Sequence, residues 1–465
     1  ALFDAPTVNG LAAVLEDASA TRTPPQPTTR PAEIPLSLSQ RRLWFLHQLD
    51  EEPTYNLAHA VRLTGPLDVD ALKAALGDTV ARHESLRTLF PNVDGRPLQK
   101  VLPADVQPPF IVTDAETENL DTLLSRAAEY RFDLATELPF RTSLISQGPQ
   151  DHVLVLVLHH IACDGQSLPP LYRDIATAYA ARLLGRAPDW TPLALQYVDW
   201  ALWHREALGR AEDPDSGFAD QLGYWKEQLE GLPGQLPLPF DRPRRAAPAS
   251  PQGSVRFELP GELHGRLGAV ARENRTTLFM LLQAGVAMLL SRLGAGTDIP
   301  LGSPASARQD DILQDLVGFF VNTLVLRIDT SGDPTFRELL LRVRETDLAA
   351  YARQDMPFDL IVEALNPERI TGVNPLFQVN VGMQGTPDPV VSLSGVDSSP
   401  VPIKVQNAKF DLSFTFTNRS YDATQGDALD GVIDYRTDVF DRVAVEGIVA
   451  RLVRVFEAVV ADPDV

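Results

Sequence analysis

One cysteine, Cys163, stands in 465 residues. No internal disulfide can form, and a chain that holds itself together without one suits a reducing cytosol. Positive charge is also scarce. The 41 Lys and Arg face 62 Asp and Glu, a net charge of −21. Such a surface repels nucleic acid and anionic membrane, and no Lys/Arg tract offsets it. No apolar run reaches the ~20 residues that span a bilayer. The longest, LFMLLQAGVAMLL from Leu278 to Leu290, reads as a buried helix. The opening ALFDAPTVNG has neither a basic start nor an apolar core, so it reads as no secretory signal. These shortages together predict a cytoplasmic chain with neither nucleic acid nor membrane among its partners.

What remains is a globular composition, 44% hydrophobic and 22% charged. The length exceeds one ordinary core and predicts two lobes of roughly 150–250 residues each. Residues 1–19 read as a short helix, with Thr7 as its cap. Residues 20–34, rich in Pro and Thr and poor in apolar side chains, read as an extended linker. The body follows, with a helix capped by Asp68 or Asp70, a strand in DHVLVLVLHH, and a helix from Ser167 to a stop at Gly185. The strand is apolar on both faces and is therefore central. A proline-rich connection spans 231–251. Beyond it come the buried helix, a strand in FFVNTLVLRID, a helix in PTFRELLLRVRETDLAA, and strands in FQVNVGMQ, FDLSFTFT and GVIDY. Helices and strands alternate throughout, so the expected class is α/β (α+β) in two lobes.

The chemistry concentrates in LHHIACDG, Leu158 to Gly165. Adjacent strand residues point to opposite faces. One of His159 and His160 then meets a cavity while the other packs inward. That argues against a two-histidine metal site, and Cys163 has no second cluster of ligands to join. Cys163 as a nucleophile needs a base held against its sulfur, and a small buried thiol is the plainer reading. A histidine placed for proton transfer is the third reading. Asp164 then locks the loop by pairing with an arginine elsewhere, and Gly165 lets a substrate approach the backbone. From this stretch alone, that reading and a satisfied histidine pair at a strand end stand level.

The stretch matches HHxxxDG, and six further motifs accompany it in order. They are LSLSQRRLWFL (Leu36 to Leu46), RHESLRTLF (Arg82 to Phe90), YVDWALW (Tyr197 to Trp203), VGFFVNTLVLR (Val317 to Arg327), RQDMPFD (Arg353 to Asp359) and NPLFQV (Asn374 to Val379). The set resembles the condensation domains of nonribosomal peptide synthetases, relatives of chloramphenicol acetyltransferase. LFDAPTVNGLAAVL resembles the last helix of a peptidyl carrier protein, which makes residues 1–19 the end of an upstream carrier domain. Residues 35–205 and 206–465 are then two acyltransferase-like lobes forming a V, with an active-site tunnel between them. The resemblance implies amide formation between a donor thioester and an acceptor α-amine. Donor and acceptor carrier proteins deliver both on phosphopantetheine arms, beside an adenylation domain of the same megasynthase. No cofactor is bound directly and no metal is needed.

Carried over residue by residue, His160 lies at the reacting amine and His159 supports the loop. Asp164 is structural, paired with Arg87, and Gly165 leaves room at the centre. Gln166 stands where relatives usually have Trp. Ala305 to Ala307 stand where a glycine often precedes the arginine, here Arg308. Gln166, Asn322 and Arg308 are candidate tunnel residues. An epimerisation domain of the same fold and a non-catalytic docking domain are the competing functions. RLWFL and RQDMPFD favour condensation over the first, and an intact His160 over the second.

Overall fold

A computed structural model describes Thr7 and residues 24–49, 53–115, 118–244, 251–368, 370, 372–384, 390–403, 407–418 and 428–464. The helix and carrier tail expected in residues 1–19 lie outside the described residues, Thr7 apart. Two mixed sheets organise the rest, each with helices packed against it, beside a small four-stranded sheet of short strands between Ile34 and Val101. This agrees with the α/β class read from the alternating pattern.

The first sheet has five strands: β1 (Asn56–Thr64), β2 (Phe110–Asp114), β3 (Phe140–Gly148), β4 (Asp151–His159) and β9 (Asp397–Val401). Their spatial order is β9-β1-β4-β3-β2. β4 is central, and from His152 to His159 every residue is buried. That is why its sequence shows an apolar run and no alternation. Helix α2 (Val69–Arg82) packs against α4 (Leu168–Leu183) on this sheet. Asp68 caps α2 by accepting the Ala71 N–H at 2.9 Å, which satisfies one of the free donors of a helix start. α4 opens with prolines in its first turn and ends at Gly185, whose φ of +68° suits a residue without a side chain. Ser167 does not cap α4 with its side chain. Its hydroxyl is engaged elsewhere, as described below.

The second sheet has six strands: β5 (Gln252–Leu259), β6 (Asp298–Ser306), β7 (Val321–Asp329), β8 (Val379–Gln384), β10 (Leu412–Asn418) and β11 (Leu429–Arg436). They lie in the order β7-β6-β8-β10-β11-β5. Helix α8 (Leu278–Leu290) is buried under it, capped by Thr277 Oγ1 accepting the Met280 N–H at 3.1 Å. By length and composition Leu278–Ala295 is apolar enough to cross a membrane, but 61% of it is buried inside the protein. Its role is the core of this lobe.

The expected boundary at 205/206 does not separate the two sheets. β9 belongs to the later part of the chain, yet it pairs antiparallel with β1, from Asp397↔Thr64 to Val401↔Ala60. Val391, Leu393 and Val396 just before it join the first lobe's core. Leu313, Leu316, Phe319 and Phe320 likewise pack with Trp200 and Val157. The later chain therefore reaches back twice and stitches the lobes together.

Candidate active site

β4 ends at His159, and a single 3₁₀ turn carries His160 to Ala162. The turn rotates His160 away from its neighbour. His159 is 2% exposed. Its Nδ1 accepts the Ile161 N–H at 3.1 Å, and its ring meets His47 and Phe132 edge-on. Burial holds this imidazole well below its ordinary pKa, with His47 and His160 pushing the same way. His159 is thus a neutral support of the turn.

His160 is half-buried and lines a cavity of about 880 Å³ that both lobes enclose. Its backbone N–H donates to the Tyr55 carbonyl at 2.8 Å. Its Nδ1 lies 2.9 Å from the Cys163 carbonyl oxygen. A carbonyl only accepts, so Nδ1 carries the proton and Nε2 keeps its lone pair. Burial lowers this imidazole to about 4, helped by the Lys409 ammonium and opposed by Asp164. Phe319 meets its ring edge-on at 5.3 Å. The arrangement is an unprotonated ring nitrogen, fixed in tautomer, beside a space large enough for a substrate.

Asp164 does not reach His160. It is 3% exposed and ties three segments together. Oδ1 accepts the Ser167 N–H at 2.9 Å and the Ser167 hydroxyl, and Oδ2 accepts the Phe320 N–H at 2.8 Å. Its arginine is Arg308, at 3.3 Å, and not Arg87 as the resemblance implied. Arg308 is buried, donates to the carbonyls of Leu313 and Leu316, and lies 4.0 Å over the Phe320 ring. Arg87 lies elsewhere. It donates to the carbonyls of Leu102 and Ala81 and pairs with Glu84 at 3.6 Å. The correction has a topological cause. The strand-to-strand connection from β6 to β7 brings the Arg308 guanidinium and the Phe320 N–H onto the Asp164 carboxylate, whereas the Arg87 guanidinium is taken up by its own neighbours, Ala81, Glu84 and Leu102. The Ala305–Ala307 departure does not displace Arg308 from this partnership.

Gly165 faces open space: a Cβ built there meets nothing within 4 Å. Neither packing nor a left-handed backbone demands glycine. Gln166 is exposed and accepts the Ser306 hydroxyl at 2.6 Å, a polar link from the histidine turn to β6. Asn322 lines the cavity, but its amide is spent on structure. It donates to the Gln354 and Met356 carbonyls and accepts the Phe358 N–H at 3.1 Å. VGFFVNT and RQDMPFD are therefore one unit in space. Cys163 is fully buried and its thiol pKa is pushed up by burial, which removes the nucleophile reading. Among the described residues, no group of three or more His, Cys, Asp and Glu converges as a metal site.

Several contributors escaped the sequence reading. Gln40, in LSLSQRRLWFL, is 1% exposed and donates to the Ile161 carbonyl at 2.8 Å, bracing the histidine turn from behind. Arg42 on the same helix, α1 (Leu38–Leu49), pairs with Asp359 across the cavity wall. Tyr197 packs so tightly on Gly318 that a Cβ there would lie 2.2 Å from its ring, which explains the glycine in VGFFVNT. Arg30, within the expected linker, binds Asp199 at 2.9 Å and Glu84 at 2.7 Å. Arg30 apart, these residues stand in visible motifs, but the partners of all of them lie more than 50 residues away in the chain. Lys409 lines the cavity with no motif to mark it.

Comparison with known proteins gives this geometry its context. The family described as Condensation domain matches residues 31–465. The chain is 52% identical to the dimodular nonribosomal peptide synthase of Bacillus subtilis (strain 168). That match covers 100% of this chain and 20% of the synthase. It is 45% identical to the isonitrile lipopeptide synthase of Mycobacterium tuberculosis (strain ATCC 25618 / H37Rv), over 94% of this chain and 18% of that protein. The chain thus spans about a fifth of these relatives. Among solved structures it is similar to the X-domain from teicoplanin biosynthesis. The TM-score is 0.87 at 36% identity, over 95% of this chain and 98% of that one. The first condensation domain of the calcium-dependent antibiotic synthetase shares the fold, with a TM-score of 0.72 at 20% identity over 94% and 98% of the two chains. On the family match over nearly its whole length, the chain belongs to the condensation domains of nonribosomal peptide synthetases.

Proposed function

We propose that this domain forms a peptide bond between a donor acyl or peptidyl thioester and the α-amine of an acceptor aminoacyl thioester. Donor and acceptor carrier proteins bring both on phosphopantetheine arms, and an adenylation domain of the same assembly selects the residue. The observation that carries the reading is His160: its Nδ1 proton is committed to the Cys163 carbonyl, and its ring lines the cavity.

In this reading the amine nitrogen attacks the thioester carbon. A C–N bond forms, the C–S bond breaks, and the pantetheine thiol leaves with a proton. Nε2 of His160 accepts a hydrogen bond from the attacking amine. An imidazole lowered to about 4 is a weak base, so its main work is to orient the nitrogen lone pair on the carbonyl. His159 holds the turn, Asp164 and Arg308 anchor it, and Gly165 leaves space for the acceptor. A second reading, a docking platform for a partner protein, draws on the similarity to the X-domain solved in complex with OxyB from teicoplanin biosynthesis.

The test loads a donor peptidyl carrier and an acceptor aminoacyl carrier, mixes them with the domain, and follows acceptor mass. The expected result is an elongated acceptor with wild type and at least about tenfold less with His160→Ala. Solvent deuterium entering the α-position of one tethered residue, without elongation, indicates epimerisation. Neither signal across several substrates indicates docking.

A further inference from the structure

Three cationic side chains line the cavity besides the histidine: Arg42, Arg436 and Lys409. Two of them are balanced. Arg42 is paired with Asp359. Arg436 shares Asp411 with Arg244 and also holds Asp438 at 2.7 Å, so two arginines meet two carboxylates. Lys409 has no carboxylate within ion-pair distance among the described residues; its recorded neighbour is the Tyr55 ring, 6.0 Å from Nζ. Lys409 is exposed, and the space it faces is the cavity.

A lysine ammonium with no carboxylate beside it leaves a net positive charge in the cavity it faces. A fold that keeps one inside its cavity invites the question of what the charge does. The groups around His160 narrow the answer. Asp164 is held by Arg308, and His159 is neutral. Arg42 with Asp359 and the cluster of Arg244, Arg436, Asp411 and Asp438 are balanced sets. His47 abuts His159 and lines a separate, smaller pocket with Arg131 and Asp133. Lys409 is therefore the uncompensated charge in the space where an amine must arrive.

We propose that Lys409 is a positioning residue of the condensation reaction: its ammonium makes the cavity beside His160 positive, so that the imidazole and the incoming acceptor amine both react as free bases. The inference rests on the proposed condensation. The acceptor is delivered mostly as an ammonium at neutral pH, which cannot attack a carbonyl. A fixed positive charge repels that form and favours loss of its proton to solvent, and it opposes protonation of Nε2 in the same way. The directions agree with the depressed His160, on which Lys409 is the next largest influence after burial.

The experiment compares wild type, Lys409→Met and Lys409→Arg. The first readout is the pH dependence of single-turnover condensation between loaded carriers. The second is the His160 imidazole titration by NMR, assigned among the eight histidines by its loss in His160→Ala. Loss of the charge is expected to move the acidic limb of the rate profile and the His160 midpoint upward by about one unit. Rates converge at high pH, and Lys409→Arg restores both values. A Lys409→Met profile and midpoint equal to wild type would overturn the inference. A loss of rate at every pH with the midpoint unmoved also overturns it, because that pattern marks a packing role. Absence of condensation by wild type refutes the function on which the inference rests, and is read from wild type alone.

Discussion

At the scale of single residues, the site is a set of fixed protonation states and fixed directions. Nδ1 of His160 is committed to the Cys163 carbonyl, and Nδ1 of His159 accepts a backbone N–H. Asp164 sends its hydrogen bonds to groups other than the histidine. It is the knot that ties the turn to Ser167, Phe320 and Arg308. The choice between two arginines is testable. Arg308→Ala leaves the Asp164 carboxylate buried without its cation and strips donors from two buried carbonyls. That change is expected to cost roughly 3–5 kcal/mol. Arg87→Ala removes a partly buried guanidinium that braces a loop, and is expected to cost about 1 kcal/mol. Chemical denaturation of both variants decides it, and the reverse ranking would return Arg87 to the central place. The sequence showed that an aspartate in this motif wants an arginine. It did not show which one, because the answer depends on a connection 144 residues later crossing the turn.

At the scale of elements, legibility followed locality. β4, α4, α8 and α9 (Phe336–Tyr351) were readable because each carries its own signal: an unbroken apolar run, a proline first turn, or apolar residues at helical spacing. β1 and β6 were not read, since Asn56–Thr64 and Asp298–Ser306 mix polar and proline residues that only their place in a sheet makes strand-like. One interhelical contact was also invisible. Asp347 on α9 is fully buried against Gln283 on α8, whose Nε2 donates to Asp347 Oδ1 at 3.0 Å. Asp347 Oδ2 and Gln283 Oε1 are left without partners. A proton on Asp347 supplies a donor to that pair of acceptors. Burial accordingly pushes this carboxyl up to about 7. The folded state then holds a proton that the unfolded chain has released, in the window from about 4 to about 7. Stability contributed here is present at low pH and lost as pH rises through that window. Asp347→Asn keeps the shape and removes the titration. It is expected to stabilise the domain at pH 8 on the order of 2 kcal/mol and to leave it nearly unchanged at pH 4.5. Thermal melts at the two pH values measure this, and an equal shift at both would show that packing, not protonation, governs the pair.

At the scale of the whole molecule, the cavity exists because two sheets are held at a fixed separation. Two excursions of the later chain do the holding. The connection through Leu313 to Phe320 packs into the first lobe beside Trp200, and β9 adds a fifth strand to that lobe's sheet. A lobe that owns part of its neighbour's core cannot unfold alone. Leu393, just ahead of β9, is 3% exposed and sits in the cluster with Leu63, Leu154 and Leu171. Leu393→Ala is expected to cost roughly 2–5 kcal/mol. Although Leu393 comes from the later part of the chain, the loss falls on the first lobe's sheet. Calorimetry of wild type is expected to show one transition, shifted as a unit by this substitution. Hydrogen exchange places the effect. Amides of β1 and β4 are expected to lose protection together with those of β6 and β10. If the substitution opened β1 and β9 alone while the second sheet kept its protection, the lobes would be separable units. The spacing of His160 from Lys409 would then depend on a hinge and not on a single cooperative fold.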